Sequence, residues 1–256
     1  MTLAEKIKRF FSHFTWFEIT YVTVGLIAII VVSIIVKSSA ITILYSIFGI
    51  IYCALLASKF KVSLLFAVLQ VSFYIVQSVL YKNWGEVILN SAIVLPIILA
   101  SIISWFTGAD KKKEQVTKNQ LKNYEWILLA VIFVVVAISF YFILDALDTQ
   151  NAVIACISCA FTAAAHYLLL RKSQYMFHVF IGLNIVLFIL WLLPIIQGDG
   201  FGIESLPMLI TLVVYSISNI RGIVNWSKEK KASLASVTSE SHEDADNLEK
   251  DNENKG

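Results

Sequence analysis

The stretch KSQYMFHVFIGLNIVLFILWLLPIIQGDGFGIESLPMLITLVVYSISNIRGIVNW, residues 172–226, decides the fold. It holds two apolar runs, 175–196 and 204–226, each close to the ~20 residues that a helix needs to cross about 30 Å of hydrocarbon. The polar side chains inside them are few. A buried amide on a membrane helix is costly unless it turns inward to a partner, a cavity or a ligand. Phe177, Phe180, Asn184 and Trp191 share one helical face of the first run, and Thr211, Tyr215, Asn219 and Trp226 share one face of the second. An aromatic face beside an amide suits a flat ring, because stacking supplies affinity and the amide supplies orientation. The stretch therefore reads as half of a binding site.

The same pattern runs through the rest of the chain. Of 256 residues, 58% are hydrophobic and only 15% charged, and the mean hydropathy is +0.78. That composition belongs to a multi-span membrane protein. Charged or Gly/Asn breaks divide the chain into eight candidate spans, 17–36, 39–58, 62–81, 85–106, 124–144, 149–170, 175–196 and 204–226. With the N-terminus in the cytoplasm, the inner segments receive Lys6, Lys8 and Arg9; Lys59 and Lys61; Lys111, Lys112, Lys113, Lys118 and Lys122; Arg171 and Lys172; and Arg221, Lys228, Lys230 and Lys231. The outer loops keep only Lys37 and Lys82 with Asp145, Asp148, Asp199 and Glu204. Such a bias places both termini inside, and merging two spans would put basic loops outside.

Residues 1–16 are expected to form an uncleaved amphipathic lead-in, since the apolar run after Phe17 is too long for a signal-peptide core and no small-residue cleavage site closes it. Residues 17–230 form one membrane domain. The Ser-, Glu-, Asp- and Asn-rich segment 231–256 reads as a disordered cytoplasmic tail. Cys53, Cys156 and Cys159 lie in apolar runs, and with no second pair the Cys-x-x-Cys spacing reads as packing. The basic loop 107–123 reads as topology marking more than as a lipid-binding site.

The punctuation repeats. Gln70 lies nine residues after Lys61, and Asn184 nine residues after Tyr175; each of these spans is followed by a loop ending in a glutamate, Glu86 or Glu204. Each next span ends in a small residue four before a tryptophan, Ser101 with Trp105 and Gly222 with Trp226. The fold expected is an all-α integral membrane protein with two parallel three-helix repeats, about 39–106 and 149–226, joined by a linker helix over 124–144. This is a SWEET-like 3+1+3 arrangement with an extra N-terminal helix, in which substrate sites lie at the repeat interface.

These residues give the chain a resemblance to the bacterial PnuC-type vitamin transporters, over about residues 39–230. Trp84-Gly85-Glu86-Val87-Ile88-Leu89-Asn90 is similar to the family's Tyr-Gly-Glu-x-x-Leu-Asn, and Lys61-Val62-Ser63 to its Lys-Ile-Ser. Leu95-Pro96, Arg171-Lys172, Asn184 and Asn219-x-x-Gly222-x-x-x-Trp226 fall at matching spacings. Phe177 and Phe180 stand where the family has Trp-x-x-Trp, Ile98 and Ser101 where it has Gln and Gly, and Ala155 where an acidic residue is common. The resemblance implies uptake of nicotinamide riboside or a related vitamin or nucleoside, with trapping by a separate kinase.

The first half supplies its own polar face, Gln70, Tyr74, Gln77 and Tyr81, whose amides and phenols can bond a sugar or a heteroaromatic ring or act between helices. Asn90 lies one turn from Glu86 at the outer end of a span, and the pair either selects cations at the entrance or marks the water boundary. Trp105 and Trp226 are expected to anchor at the interface. His166, on a stripe with Asn151, Ser158 and Thr162, is expected to be a helix-contact histidine more than a ligand or pH sensor. No Asp or Glu falls mid-span and no phosphate-binding G-x-x-x-x-G-K-[ST] occurs, which points to uncoupled facilitated diffusion. His13, His166, His178 and His242 are too scattered for a metal centre, so neither an enzyme nor a cofactor is expected. A structural or regulatory membrane protein, the rival class, leaves the duplicated punctuation unexplained. The expected partners are the small-molecule cargo, the bilayer of a bacterial inner membrane and, as an open option, a second copy of the chain, with no nucleic acid.

Overall fold

The computed structural model describes residues 14–80, 84–107, 115–149, 151–197 and 206–227. Most of the expected lead-in, the tail 231–256, Tyr81, Lys82, Lys111 to Lys113 and Glu204 lie outside the described residues. Within them stand eight helices long and apolar enough to cross a membrane: α1 (Trp16–Ile35), α2 (Ala40–Ala57), α3 (Ser63–Leu80), α4 (Trp84–Phe106), α5 (Asn123–Ala146), α6 (Ala152–Leu170), α7 (Met176–Gln197) and α8 (Leu206–Ser227). They fall on the eight expected spans, and the largest offset is at the start of α6, which begins at 152 instead of 149.

Helices α2 and α6 form the interior. α2 packs along α3, and α6 packs along both α5 and α7. The buried residues of α6 include Ala155, Ala160, Ala163, Ala164 and Ala165, small side chains that let neighbouring backbones approach. α5 by contrast exposes Val134, Val135, Ile138 and Phe142, the surface a bilayer would cover.

The helix ends are built in matched pairs. α2 and α6 both stop in a Schellman turn: Phe60 and Ser173 donate to the Leu55 and Leu168 carbonyls at 3.0 Å, and Lys59 and Lys172 donate to Leu56 and Leu169 at 3.0 Å. Lys59 and Lys172 take left-handed φ of 64° and 56°. α1 and α5 end the same way, with Lys37 and Asp148 left-handed. Both also begin alike, on a glutamate three residues into the first turn. Glu18 accepts from the Thr15 backbone N–H at 2.7 Å, and Glu125 from that of Lys122 at 2.8 Å. Each glutamate is paired with an arginine of another helix or loop, Glu18 with Arg221 at 2.9 Å and Glu125 with Arg171. In the loop after α6, the Glu125 carboxylate raises the Arg171 guanidinium further above its ordinary value.

The two tryptophans correct the expectation of interfacial anchoring. Trp105 and Trp226 are fully buried. The Trp105 indole donates to the Leu169 carbonyl at 3.2 Å and the Trp226 indole to the Leu56 carbonyl at 3.2 Å. Each half thus closes on the helix end of the other. The linker ties the same two turns: Val116 donates to the Lys59 carbonyl and Asn119 to the Lys172 carbonyl, both at 3.0 Å, and Lys118 reaches the Trp226 carbonyl at 2.9 Å. Lys118 in this loop therefore bridges to a helix end as well as carrying a charge.

Replacing either indole by a smaller ring removes one hydrogen bond and leaves a void. Trp105→Phe and Trp226→Phe should each destabilise the protein by about 1–3 kcal/mol, read as a lower midpoint of thermal unfolding in detergent. An unchanged midpoint for both variants would deny these bonds a structural role.

Candidate functional site

Among α2, α3, α4, α6, α7 and α8 lies a cavity of about 100 Å³. α2 contributes Tyr45, Tyr52 and Cys53; α3 Gln70 and Tyr74; α4 Glu86 and Asn90; α6 Thr162 and His166; α7 Phe180, Asn184 and Trp191; α8 Tyr215 and Asn219. Apolar residues such as Leu56, Val71, Leu187 and Met208 complete the wall. It is a mixed surface of amides, phenols and aromatic rings.

Eight of the ten expected site residues meet there: Gln70, Tyr74, Asn90, Phe180, Asn184, Trp191, Tyr215 and Asn219. Gln77 and Phe177 do not line it. Gln77 shares the face of Gln70 but sits about 10 Å further along the helix at 1.5 Å per residue, buried, with its Oε1 lacking a partner among the described residues. Phe177 lies one turn before Phe180 and packs edge-on against Trp226, with ring centroids 5.6 Å apart. Gly222 makes that contact feasible, since a Cβ there would come within 2.4 Å of the Phe177 ring.

Local backbone chemistry sets several of these side chains. α4 is an α-helix over Trp84–Leu89, widens to a π-helical turn over Asn90–Val94, and resumes over Leu95–Phe106. Leu95 N–H bonds the Asn90 carbonyl, five residues back. Pro96 follows immediately and has no N–H to give to the preceding turn, a frequent cause of such irregularity. The widened turn begins at Asn90, whose amide donates to the Glu86 backbone carbonyl at 2.8 Å and its carboxylate at 3.0 Å.

Glu86 was expected at the outer end of the span, either selecting cations at the entrance or marking the water boundary. It is buried and faces the cavity, where the Tyr74 hydroxyl also hydrogen-bonds it. Asn184 donates to Ser216 Oγ at 3.1 Å, which fixes its amide between α7 and α8. Tyr45 stacks at a tilt on Tyr74, centroids 5.0 Å apart, and its hydroxyl bonds Gln70. His166 donates from Nδ1 to the Thr162 carbonyl at 2.7 Å while its ring meets Phe180 edge-on at 5.6 Å. It is both a helix-contact histidine and part of the wall. Tyr45, Tyr52, Glu86 and His166 were outside the expected set. Glu86 and His166 carried a usable signal, the first one helical turn before Asn90 and the second on a polar stripe with Thr162.

Tyr215 crosses to α2, where a Cβ at Gly49 would overlap its hydroxyl. Gly49→Ala should therefore cost about 1–3 kcal/mol through overpacking, seen as a lower thermal midpoint. Removing the hydroxyl in the double variant with Tyr215→Phe should recover part of that loss, and strictly additive losses would place the clash elsewhere.

The eight-helix frame agrees with what comparison with known proteins finds. The chain superposes on a crystal structure of the vitamin B3 transporter PnuC with a TM-score of 0.73 at 22% identity, covering 89% of this chain and 97% of that one. It is 27% identical over 238 residues to the nicotinamide riboside transporter PnuC of Neisseria mucosa, covering 89% of this chain and 87% of the relative. It is 25% identical over 236 residues to the protein of the same name from Haemophilus influenzae, covering 89% and 97%. The sequence pattern of the nicotinamide mononucleotide transporter family matches residues 39–228, so this multi-pass membrane protein belongs to that family of transporters.

Proposed function

We propose that the chain carries nicotinamide riboside, or a closely related vitamin-like nucleoside, across the bacterial inner membrane through the cavity between its halves. The observation that carries the reading is the lining itself. The amides of Gln70, Asn90, Asn184 and Asn219 face aromatic rings of Phe180, Trp191, Tyr45 and Tyr74 across one enclosed space. Such a set hydrogen-bonds a carboxamide and ribose hydroxyls while stacking on a flat ring.

The relatives are named for the riboside and the family for the mononucleotide. The lining favours the riboside, because no lysine or arginine lines the cavity among the described residues, whereas a phosphate calls for cationic partners. Passage is downhill and uncoupled, and a separate cytoplasmic kinase retains the solute. Both termini face the cytoplasm. The end that carries Lys59, Lys61, Lys118, Arg171, Lys172 and Arg221 is then the inner one, in keeping with the positive-inside rule. In that orientation Trp105, Phe177 and Trp226 close the inner side beneath the cavity. The two parallel repeats, here widened by the matched ends of α1 and α5, supply the elements that rock against each other.

Purified protein in liposomes should take up labelled nicotinamide riboside with no ion gradient imposed. Uptake that requires a proton gradient would reject the uncoupled mechanism, and absence of uptake would reject the cargo. Asn184→Leu should weaken binding roughly 5- to 150-fold, since a lost amide contact costs about 1–3 kcal/mol and leaves its partner unsatisfied, while the protein still elutes as a folded species. Unchanged affinity in isothermal titration would remove Asn184 from the site.

A further inference from the structure

Glu86 differs from the other carboxylates that the described helices bury. Glu18 and Glu125 are each held by an arginine, Arg221 and Arg171. Glu86 is equally enclosed, 8% exposed, but its partners are the neutral Asn90 amide and Tyr74 hydroxyl. No lysine or arginine lines the cavity that it faces, among the described residues. His166 is on the same wall, with Nδ1 committed to the Thr162 carbonyl.

A charged carboxylate removed from water is strongly disfavoured unless an opposite charge lies close. The cavity supplies donors that orient the carboxylate and no cation that neutralises it. The missing charge is one that a cargo could bring. Aromatic faces from Phe180, Trp191 and Tyr45 line the same space, and such faces add their own attraction for a cation.

We propose that Glu86 is the counterion that selects the charge of the cargo, so that the site takes permanently cationic heteroaromatic ribosides in preference to neutral ones of the same shape. Asn90 is its positioning residue: both amide contacts, one to the Glu86 carbonyl and one to the carboxylate, lock the side chain in the direction of the cavity. The π-helical turn that starts at Asn90 fixes where that direction lies. This assignment rests on the riboside reading of the cavity and adds the group that distinguishes between ribosides.

Two probes isolate charge from shape. Nicotinamide riboside carries a pyridinium ring, and its dihydropyridine form keeps the ribose and carboxamide but is neutral. Affinity for each is measured by titration calorimetry on the full-length protein, in potassium buffer with and without sodium. The wild type should bind the cationic form roughly tenfold or more tighter, without sodium. Glu86→Gln should erase that preference mainly by weakening the cationic form, and Glu86→Asp should retain most of it. Equal affinities in the wild type, or a ratio that survives in Glu86→Gln, would overturn the proposal while leaving the riboside reading intact. Binding that needs sodium and ignores ring charge would assign Glu86 to a coupling ion and overturn it too. If the wild type binds neither form, the riboside reading fails and the proposal falls with it. Should Glu86→Gln not fold, Asn90→Leu, which frees the carboxylate from its positioning amide, takes its place, and a ratio unchanged from the wild type overturns the proposal.

Discussion

Two crossed hydrogen bonds hold this molecule in one arrangement. The indole at the end of α4 donates to the Leu169 carbonyl at the end of α6, and the indole at the end of α8 donates to the Leu56 carbonyl at the end of α2. Both carbonyls already accept from the left-handed lysine of their Schellman turns, so each tryptophan is fitted to a finished helix end and uses the second lone pair. Hydrophobic association cannot order helices that are already in lipid, and packing with specific polar contacts must do so. The crossed bonds specify which helix ends meet, and the linker segment around Val116 and Asn119 bonds to the same two turns. Everything above this knot inherits its spacing, including the cavity.

The cavity is framed by close approach of helices at some points and by loosening at another. At Gly222 and Gly49 the absence of a side chain lets Phe177 and Tyr215 reach a neighbouring helix. At Asn90 the helix does the opposite, widening into a π turn ahead of Pro96. Irregular backbone at membrane depth is tolerated where it lines a cavity or is buried in protein, and this turn satisfies both conditions. Close approach at the knot and loosening at α4 thus place polar side chains around an enclosed space without exposing them to lipid.

Much of this was legible in the sequence, because the bilayer imposes simple rules. Span length depends on hydrocarbon thickness, and the eight helices follow it. Amides such as Asn184 and Asn219 stood out because hydrocarbon makes them costly, so their inward placement could be anticipated. Depth along a helix was harder. Gln77 and Phe177 share faces with cavity residues but lie past its ends, since helical spacing fixes direction and says nothing of where a neighbouring helix closes the space. Trp105 and Trp226 resembled interfacial anchors because the carbonyls they serve belong to distant turns. Glu86 was left open between two roles for a related reason: a residue at a span's first turn reads as a boundary residue as readily as a site residue unless the packing of its neighbours is known. The first helix looked like an addition to a repeat, yet its capped start at Glu18 and its left-handed stop at Lys37 match those of α5.

The departures from the family pattern acquire different weights once they are located. Ile98, Ser101 and Ala155 are buried at helix contacts, and none lines the cavity. The Ser101 hydroxyl is satisfied by the Ile97 carbonyl of its own helix at 2.7 Å. Phe177 fills the knot beside Trp226, where a larger ring would have to share the space left by Gly222. Of the five positions only Phe180 touches the cavity. A phenylalanine there keeps a stacking face and lacks an indole N–H, so the change reduces donors and ring area at one wall while leaving the opposing amides in place. Four of these five departures therefore alter how the helices pack, and one alters an aromatic surface of the cavity.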